Sequence, residues 1–297
     1  MQRAKIKQPH SDKVFGTVVA VIVAFAVFIT LYPLIFVLSA SISSPMEVFQ
    51  GNVWLLPKGI NFEAYKQVFL NKKIWTGYRN TIFYTCLGTM IATTLSISAA
   101  YPLARRKLYG KKFFMTYFMI TMFFNGGMVP TYLIVQKLGL YDTVWAVILV
   151  NMVTVYNIIV AKTYIQSTIP EELYEAAEID GCGDIRVFFK VVLPLSAPIL
   201  AVLTLFYGVA YWNNYFNGLI YVGSSDKYPL QLILRDILLS NATSEMIESM
   251  ETDINKLMVS ESLKYAVVVV SSVPMLILYP FLQKFFVKGV MIGSVKG

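Results

Sequence analysis

Histidine occurs once in this chain, as His10, and cysteine twice, as Cys86 and Cys182. A lone imidazole with no companion ligands makes no metal site. Two cysteines this far apart, one of them inside an apolar run, make neither a disulfide framework nor a metal knuckle. Charge is scarce too: 14% of residues are Asp, Glu, Lys or Arg, against about 25% in soluble domains. The G-x-x-x-x-G-K-[ST] loop that cradles nucleotide phosphates is absent, so no bound nucleotide or other cofactor is expected on this chain. No ionisable residue occupies the centre of any long apolar run. That argues against a proton-coupled carrier or an ion pump, which place such groups at mid-membrane.

What is abundant is apolar surface. The chain is 57% hydrophobic, with a mean hydropathy of +0.61. About 20 apolar residues span a bilayer, and six blocks reach that length: 14–40, 80–104, 113–136, 143–163, 195–222 and 264–287. The fold class expected is an all-α polytopic membrane protein with six transmembrane helices, in contact with lipid. It divides into a tail, 1–13, a body, 14–287, and a second tail, 288–297. The first apolar run is too long for the h-region of a signal peptide and reads as a retained anchor. Prolines 33, 102, 130, 198 and 274 fall inside spans, where kinks are tolerated.

The net charge of +8 is distributed in a way that does not suggest nucleic acid. Arg3, Lys5, Lys7 and Lys13 precede the first block. Arg105, Arg106, Lys107, Lys111 and Lys112 follow the second, and Lys284, Lys288 and Lys296 lie near the end. These are alternate loops on one side, which the positive-inside rule assigns to the cytoplasm together with both termini. The segments 41–79 and 223–263 would then face outward. The second is acidic, and its Leu230–Leu239 stretch reads as a helix lying at the membrane interface.

Between the fourth and fifth blocks lies a polar loop, 164–194. It carries Glu175-Ala176-Ala177, then Asp180-Gly181, and later Val191-Val192-Leu193-Pro194. Thr168 is suited to cap a helix, and Pro170 to fill its first turn. Glu171 and Glu172 would complement the helix dipole, and Gly181 would end the helix in the left-handed conformation. Two adjacent alanines keep one side thin, as a helix lying in a partner's groove requires.

The pattern E-A-A, three residues, G, nine residues, an aliphatic residue, x-L-P resembles the cytoplasmic loop of ATP-binding-cassette (ABC) importer permeases. Val191 stands where that family usually has isoleucine. Further stretches resemble the carbohydrate branch, which includes the smaller membrane subunit of the maltose transporter. These are Tyr32-Pro33-Leu34, Asn125-Gly126-Gly127-Met128-Val129-Pro130, Leu138-Gly139-Leu140-Tyr141-Asp142-Thr143, Trp212-Asn213-Asn214-Tyr215 and the end from Tyr279-Pro280-Phe281 to Gly297. The subgroup most resembled includes lipoprotein-dependent permeases of Gram-positive bacteria and uronate-oligomer importers.

The resemblance implies a type I importer transmembrane fold in a bacterial inner membrane. It implies a second, related permease, two ATPase subunits and an extracytoplasmic solute-binding protein as partners, and an oligosaccharide as substrate. It gives Glu175, Ala176, Ala177, Asp180, Gly181, Leu193 and Pro194 the role of coupling to the ATPase, and it leaves no catalytic residue in this chain.

For the substrate path, the fifth block is the most polar. Tyr207, Tyr211, Asn214 and Gly218 fall on one helical face, Asn213 and Asn217 on a second line, with Trp212 and Tyr215 between. Aromatic faces beside amides suit sugars, whereas amides bonding across helices would give the same pattern. One line, Tyr211–Asn214–Gly218, is expected to face a cavity. Asn125, Asn151, Tyr156 and Asn157 are weaker candidates on the same logic. A non-sugar solute, a self-contained secondary carrier and a simple assembly anchor are the competing readings.

Overall fold

The computed structural model describes residues 10–247 and 254–293, with side chains described over 12–239 and 258–280. The basic residues Arg3, Lys5 and Lys7, the side chains of Lys284 and Lys288, and Lys296 lie outside the described residues. All regular structure described is helical. The chain divides into two compact units, residues 1–70 with 237–270 and residues 71–236 with 271–297.

In the first unit a single helix, His10–Ser41, carries the first apolar block, with Pro33 inside it. From residue 12 to residue 30 every side chain is exposed. The chain then folds back on the helix end. Ser39 Oγ donates to the Leu55 carbonyl at 2.6 Å, and Ser41 Oγ pairs with Tyr65 OH at 2.8 Å. Two short helices, Pro45–Phe49 and Glu63–Leu70, lie in this segment.

The second unit is organised by the helix Lys72–Ala104. It starts eight residues before the expected block, because Asn71 caps it by accepting the Lys73 amide at 3.0 Å. Small residues at four-residue intervals, Gly88, Ala92, Ser96 and Ala100, let neighbouring helices approach its backbone. Against this seam pack Val155–Thr168 and Ala197–Trp212, with Ile158, Ala161, Ile165, Leu203 and Tyr207 in the shared core. A Cβ placed on Gly88 would meet the Tyr211 ring at 2.5 Å, so the two elements touch at that glycine.

Among the described residues, the expected count of six spans is not confirmed. Three described helices are long and apolar enough to cross a membrane, and five if each sharply bent pair counts as one span. The third block is two helices, Lys111–Phe123 and Met128–Lys137, bent by 110°. At the break, Asn125 Oδ1 accepts the Gly127 amide at 2.9 Å and Gly127 takes a φ of 88°. The fourth block is Val144–Leu149 and Val155–Thr168, parted where Asn151 adopts a φ of 57°. The fifth is Ala197–Trp212 and Phe216–Tyr221, parted at Asn213 to Tyr215. Pro130 and Pro198 therefore sit in first turns, where the missing N–H costs nothing, rather than at kinks. The expected interfacial helix is also different at its start. In Leu230–Ile247, residues Leu230, Leu232 and Ile233 are buried, and Leu230 lies against Gly77 of the Lys72–Ala104 helix.

Candidate functional site

The polar loop forms a short helix, Glu171–Ile179, with Glu171 and Glu172 in its first turn. Its start differs from expectation: Thr168 is the last residue of the preceding helix, and Pro170 stands just outside the new one. The helix end is as the sequence predicts. Gly181 takes a φ of 71°. The Gly181 amide bonds the Glu178 carbonyl at 3.0 Å and the Cys182 amide bonds Ala177 at 2.9 Å, a Schellman stop. Beyond it, the chain passes through Asp184–Val187 and one wide π-type turn, Phe188–Val192, to Leu193–Leu195. The Asp184–Leu195 segment meets the Ala197–Trp212 helix at 79°.

One side of the Glu171–Ile179 helix is held from behind by residues not singled out in the sequence. Arg105, directly after the Lys72–Ala104 helix, is 8% exposed. Its guanidinium lies 4.0 Å from the centre of the Tyr174 ring, and its Nη2 donates to Glu178 Oε1 at 2.8 Å. Lys107 Nζ donates to the other Glu178 oxygen at 2.6 Å. The Lys107 bond holds the Glu178 carboxyl below its ordinary range, aided by Arg105 and opposed by desolvation, and Glu178 in turn raises Lys107. Burial pushes the Tyr174 hydroxyl up to about 12.

The other side is open. Glu175, Ala176, Asp180 and Gly181 are exposed, Ala177 and Leu193 are half-buried, and Pro194 is exposed. Beside them Ile179 is 87% exposed, Ile185 77% and Phe189 60%, large apolar groups standing on a polar loop. Large apolar groups exposed on a polar loop are costly in water.

The break at Asn213 removes the single helical phase on which the line Tyr211–Asn214–Gly218 was drawn. Tyr211 is buried and donates to the Ile148 carbonyl at 2.7 Å. Gly218 is buried against Pro229, which a Cβ there would meet at 2.6 Å. Trp212 is buried with its indole N–H on the Ser271 carbonyl at 3.2 Å. Asn217 reaches the Val150 carbonyl at 3.1 Å, bonding across elements as one of the two sequence readings required. Asn214 accepts the Asn217 amide at 3.1 Å and so starts the short Phe216–Tyr221 helix. Asn213 and Tyr215 are exposed. Of the weaker candidates, Asn157 is buried, Asn151 and Tyr156 are exposed, and Asn125 braces the bend described above.

Two adjoining cavities run along this region of the second unit. One, of about 550 Å³, lies between Thr85, Thr89 and Thr93 on one helix and Thr204, Gly208 and Val209 on the other. The next, of about 260 Å³, adds Trp212, Asn213, Gln231, Ser271 and Tyr279. Leu205, Val209, Met275 and Leu278 line both, so they adjoin as parts of one groove, and among the described residues no charged side chain lines it. A third feature is a latch: the Asp142 carboxylate accepts from the Gly223 and Ser224 amides, the Ser224 hydroxyl and Lys227 Nζ. Ser224 above all depresses the Asp142 carboxyl far below its ordinary value.

Residues 72–292 match the family described as "Binding-protein-dependent transport system inner membrane component". The chain belongs to that family. Its members are membrane-embedded permease components of ABC importers, not enzymes. The chain is 40% identical over 270 residues to "Protein LplC" of Bacillus subtilis (strain 168), covering 91% of this chain and 90% of that one. It is 39% identical over 274 residues to the "Polygalacturonan/rhamnogalacturonan transport system permease protein YtcP" of the same organism, covering 91% and 93%. Among solved structures it superposes on a chain of a bacterial ABC transporter involved in the import of the acidic polysaccharide alginate. The TM-score is 0.84 at 34% identity, covering 95% of this chain and all of that one. The family match begins at Lys72, the first residue of the helix around which the second unit is packed.

Proposed function

We propose that this permease is the membrane-spanning subunit of an ATP-driven, binding-protein-dependent importer for oligosaccharides. Its 164–194 loop faces the cytoplasm and docks on an ATPase subunit. The observation that carries the coupling role is the two-sided helix Glu171–Ile179. Its inner side is fastened to the end of a long helix by Arg105, while Glu175, Ala176, Ile179, Ile185 and Phe189 stand outward. An apolar cluster on a polar loop is costly in water and is stabilised when a partner covers it. ATP and Mg belong to two such ATPase subunits. A second homologous permease completes the path, and the exposed apolar face of His10–Ser41 suits that permease or lipid. An extracytoplasmic binding protein delivers the sugar.

The groove favours a saccharide because its lining is uncharged yet offers hydroxyls, amides and rings. The exposed Asn213 and Tyr215 border the path, and Tyr211, Trp212, Asn217 and Gly218 support it from within the packing. The relatives whose names specify polygalacturonan, rhamnogalacturonan or alginate favour oligomers that contain uronate.

Gly181→Trp tests the coupling. A Cβ at Gly181 meets no other atom, so the bulk projects from the exposed face instead of into the core, and Gly181→Ala, which carries the strain of a side chain at a φ of 71° without the bulk, is the control. The complex is expected to assemble, with binding-protein-stimulated ATP hydrolysis lost. Stimulation at the wild-type level in the assembled variant refutes the docking role.

A further inference from the structure

We propose that Thr85, Thr89 and Thr93 form a ladder of hydroxyls along which a saccharide is handed through the membrane. The inference rests on the importer reading and adds residues to its path. A helical threonine can satisfy its hydroxyl by donating to the carbonyl four residues back. Thr17, Thr30, Thr76, Thr94 and Thr131 all do so, at 2.8–3.2 Å. Thr85, Thr89 and Thr93 do not, and each of their Oγ1 atoms is buried with no hydrogen-bond partner. Leaving a buried hydroxyl unpaired costs free energy, and three in succession at intervals of four make one line on one face. That line is the wall of the 550 Å³ cavity.

Thr89 is 8% exposed, so water has little access to it. Its neighbour across the cavity is Gly208, where a Cβ would come within 3.8 Å of Thr89 Oγ1. The absence of a side chain there leaves room beside the hydroxyl. Rotation about χ1 interchanges the hydroxyl and the methyl of threonine, and both rotamers are populated in helices. Each rung can therefore turn from the helix surface to a passing ligand and back.

A sugar is the ligand this wall fits. Its hydroxyls both donate and accept, as threonine does. Its C–H faces match Met90 on the same helix and Leu205, Met275 and Leu278 from the other elements that line the cavity. Four residues advance a helix by about 6 Å, close to the length of one sugar ring, so successive rungs meet successive rings. The ladder's cavity adjoins the one lined by Trp212, Asn213 and Gln231, with four lining residues in common. Neutral hydroxyls also hold no ring strongly, which a conducting path requires.

The test uses the complete transporter in proteoliposomes, with this chain, its companion permease, two ATPases and the binding protein. Thr85→Val, Thr89→Val and Thr93→Val are combined, because valine keeps the shape and removes the hydroxyl. A matching triple serine variant restores it. The probes are oligomers of polygalacturonan, oligomers of alginate, and raffinose. The valine variant is expected to assemble in wild-type yield with unchanged basal ATP hydrolysis and at least tenfold slower uptake of the probe that wild type imports. The serine variant should recover most of that uptake. Cys86 is exposed on the same cavity, so in a Cys182→Ala background the imported probe should slow maleimide labelling of Cys86 several-fold, but not in the valine variant. Wild-type uptake by the valine variant overturns the ladder alone. Loss of the companion permease from the purified valine variant also overturns it, showing that the hydroxyls bond a partner helix. A wild-type complex that imports none of the probes overturns the oligosaccharide reading, and the ladder with it.

Discussion

Replacing Arg105 with alanine should unfasten the Glu171–Ile179 helix from the helix that precedes Arg105. The guanidinium lies 4.0 Å from the Tyr174 ring centre in a nearly water-free site, where a cation–π contact is worth about 2 kcal/mol. The buried aliphatic stem adds roughly 1 kcal/mol of packing. Against this, Arg105 Nη1 is buried without a partner, and its removal returns roughly 1–2 kcal/mol. The ion pair with Glu178 is left out of the sum, because that carboxylate is partly exposed and retains Lys107. The net loss is about 1.5 kcal/mol, or roughly tenfold more frequent detachment.

Hydrogen exchange of the assembled transporter reads this directly. Amides of 174–182 should exchange about tenfold faster, while those of the Ala92–Ala100 stretch stay unchanged. Binding-protein-stimulated ATP hydrolysis should fall, with basal hydrolysis retained. Arg105→Lys keeps the charge but loses the planar stacking, and should fall between. Unchanged exchange over 174–182 in Arg105→Ala would refute the fastening.

Gly88→Ala should lower thermal stability by about 1–3 kcal/mol of overpacking, since its Cβ would lie 2.5 Å from the Tyr211 ring; an unchanged melting point means the helices separate freely. Asn217→Leu should cost about 0.6–2 kcal/mol by removing the bond to the Val150 carbonyl, seen as lower recovery of the folded subunit and not as slower uptake per assembled complex. The Glu178 carboxyl is depressed in the fold, so its contribution is complete above the ordinary value near 4.5 and is lost as pH falls below it. Lys107 is raised, so its share persists through neutrality and is lost only above its ordinary 10.5. Exchange over 174–182 should therefore show no change in protection between pH 6 and about 9, which a protection step near neutrality would contradict.

What the sequence disclosed was local. Gly181 ends its helix because the left-handed stop depends on a few neighbouring residues, and the E-A-A spacing is itself local. Arg105 was legible as one positive charge among several, but its partner Glu178 lies 73 residues away, and nothing in the spacing of either announces the other. The broken helices were hidden for another reason. The stretches on both sides of Asn151 and of Asn213 are long and apolar enough to read as one run, and hydropathy does not register a backbone that turns there. The polar first turn of Lys72–Ala104 concealed its early start for the converse reason. The threonine ladder did carry a signal, T-x-x-x-T-x-x-x-T over 85–93, but hydroxyls weigh little in hydropathy and drew less notice than the amides of the fifth block.

The helix Lys72–Ala104 connects these observations mechanically. It has 33 residues, hence a length of about 50 Å. Its far end bears on Leu230 at Gly77 and on the backbone of Asp226 and Tyr228 through Asn80. Its middle bears on Tyr211 at Gly88 and on Tyr207 through Ser96. Arg105, just past its near end, holds the loop helix. Packed interiors transmit strain, so on the proposed coupling a push on Glu171–Ile179 would reach the threonine wall as a tilt of the whole helix against Ala197–Trp212. Perturbations of the two regions should then differ in kind. Threonine changes should slow sugar movement at a given rate of ATP hydrolysis, whereas Arg105 changes should lower the ATP hydrolysis that the binding protein can elicit. If Arg105→Ala instead slowed uptake and left stimulation intact, the helix would not be the link between them.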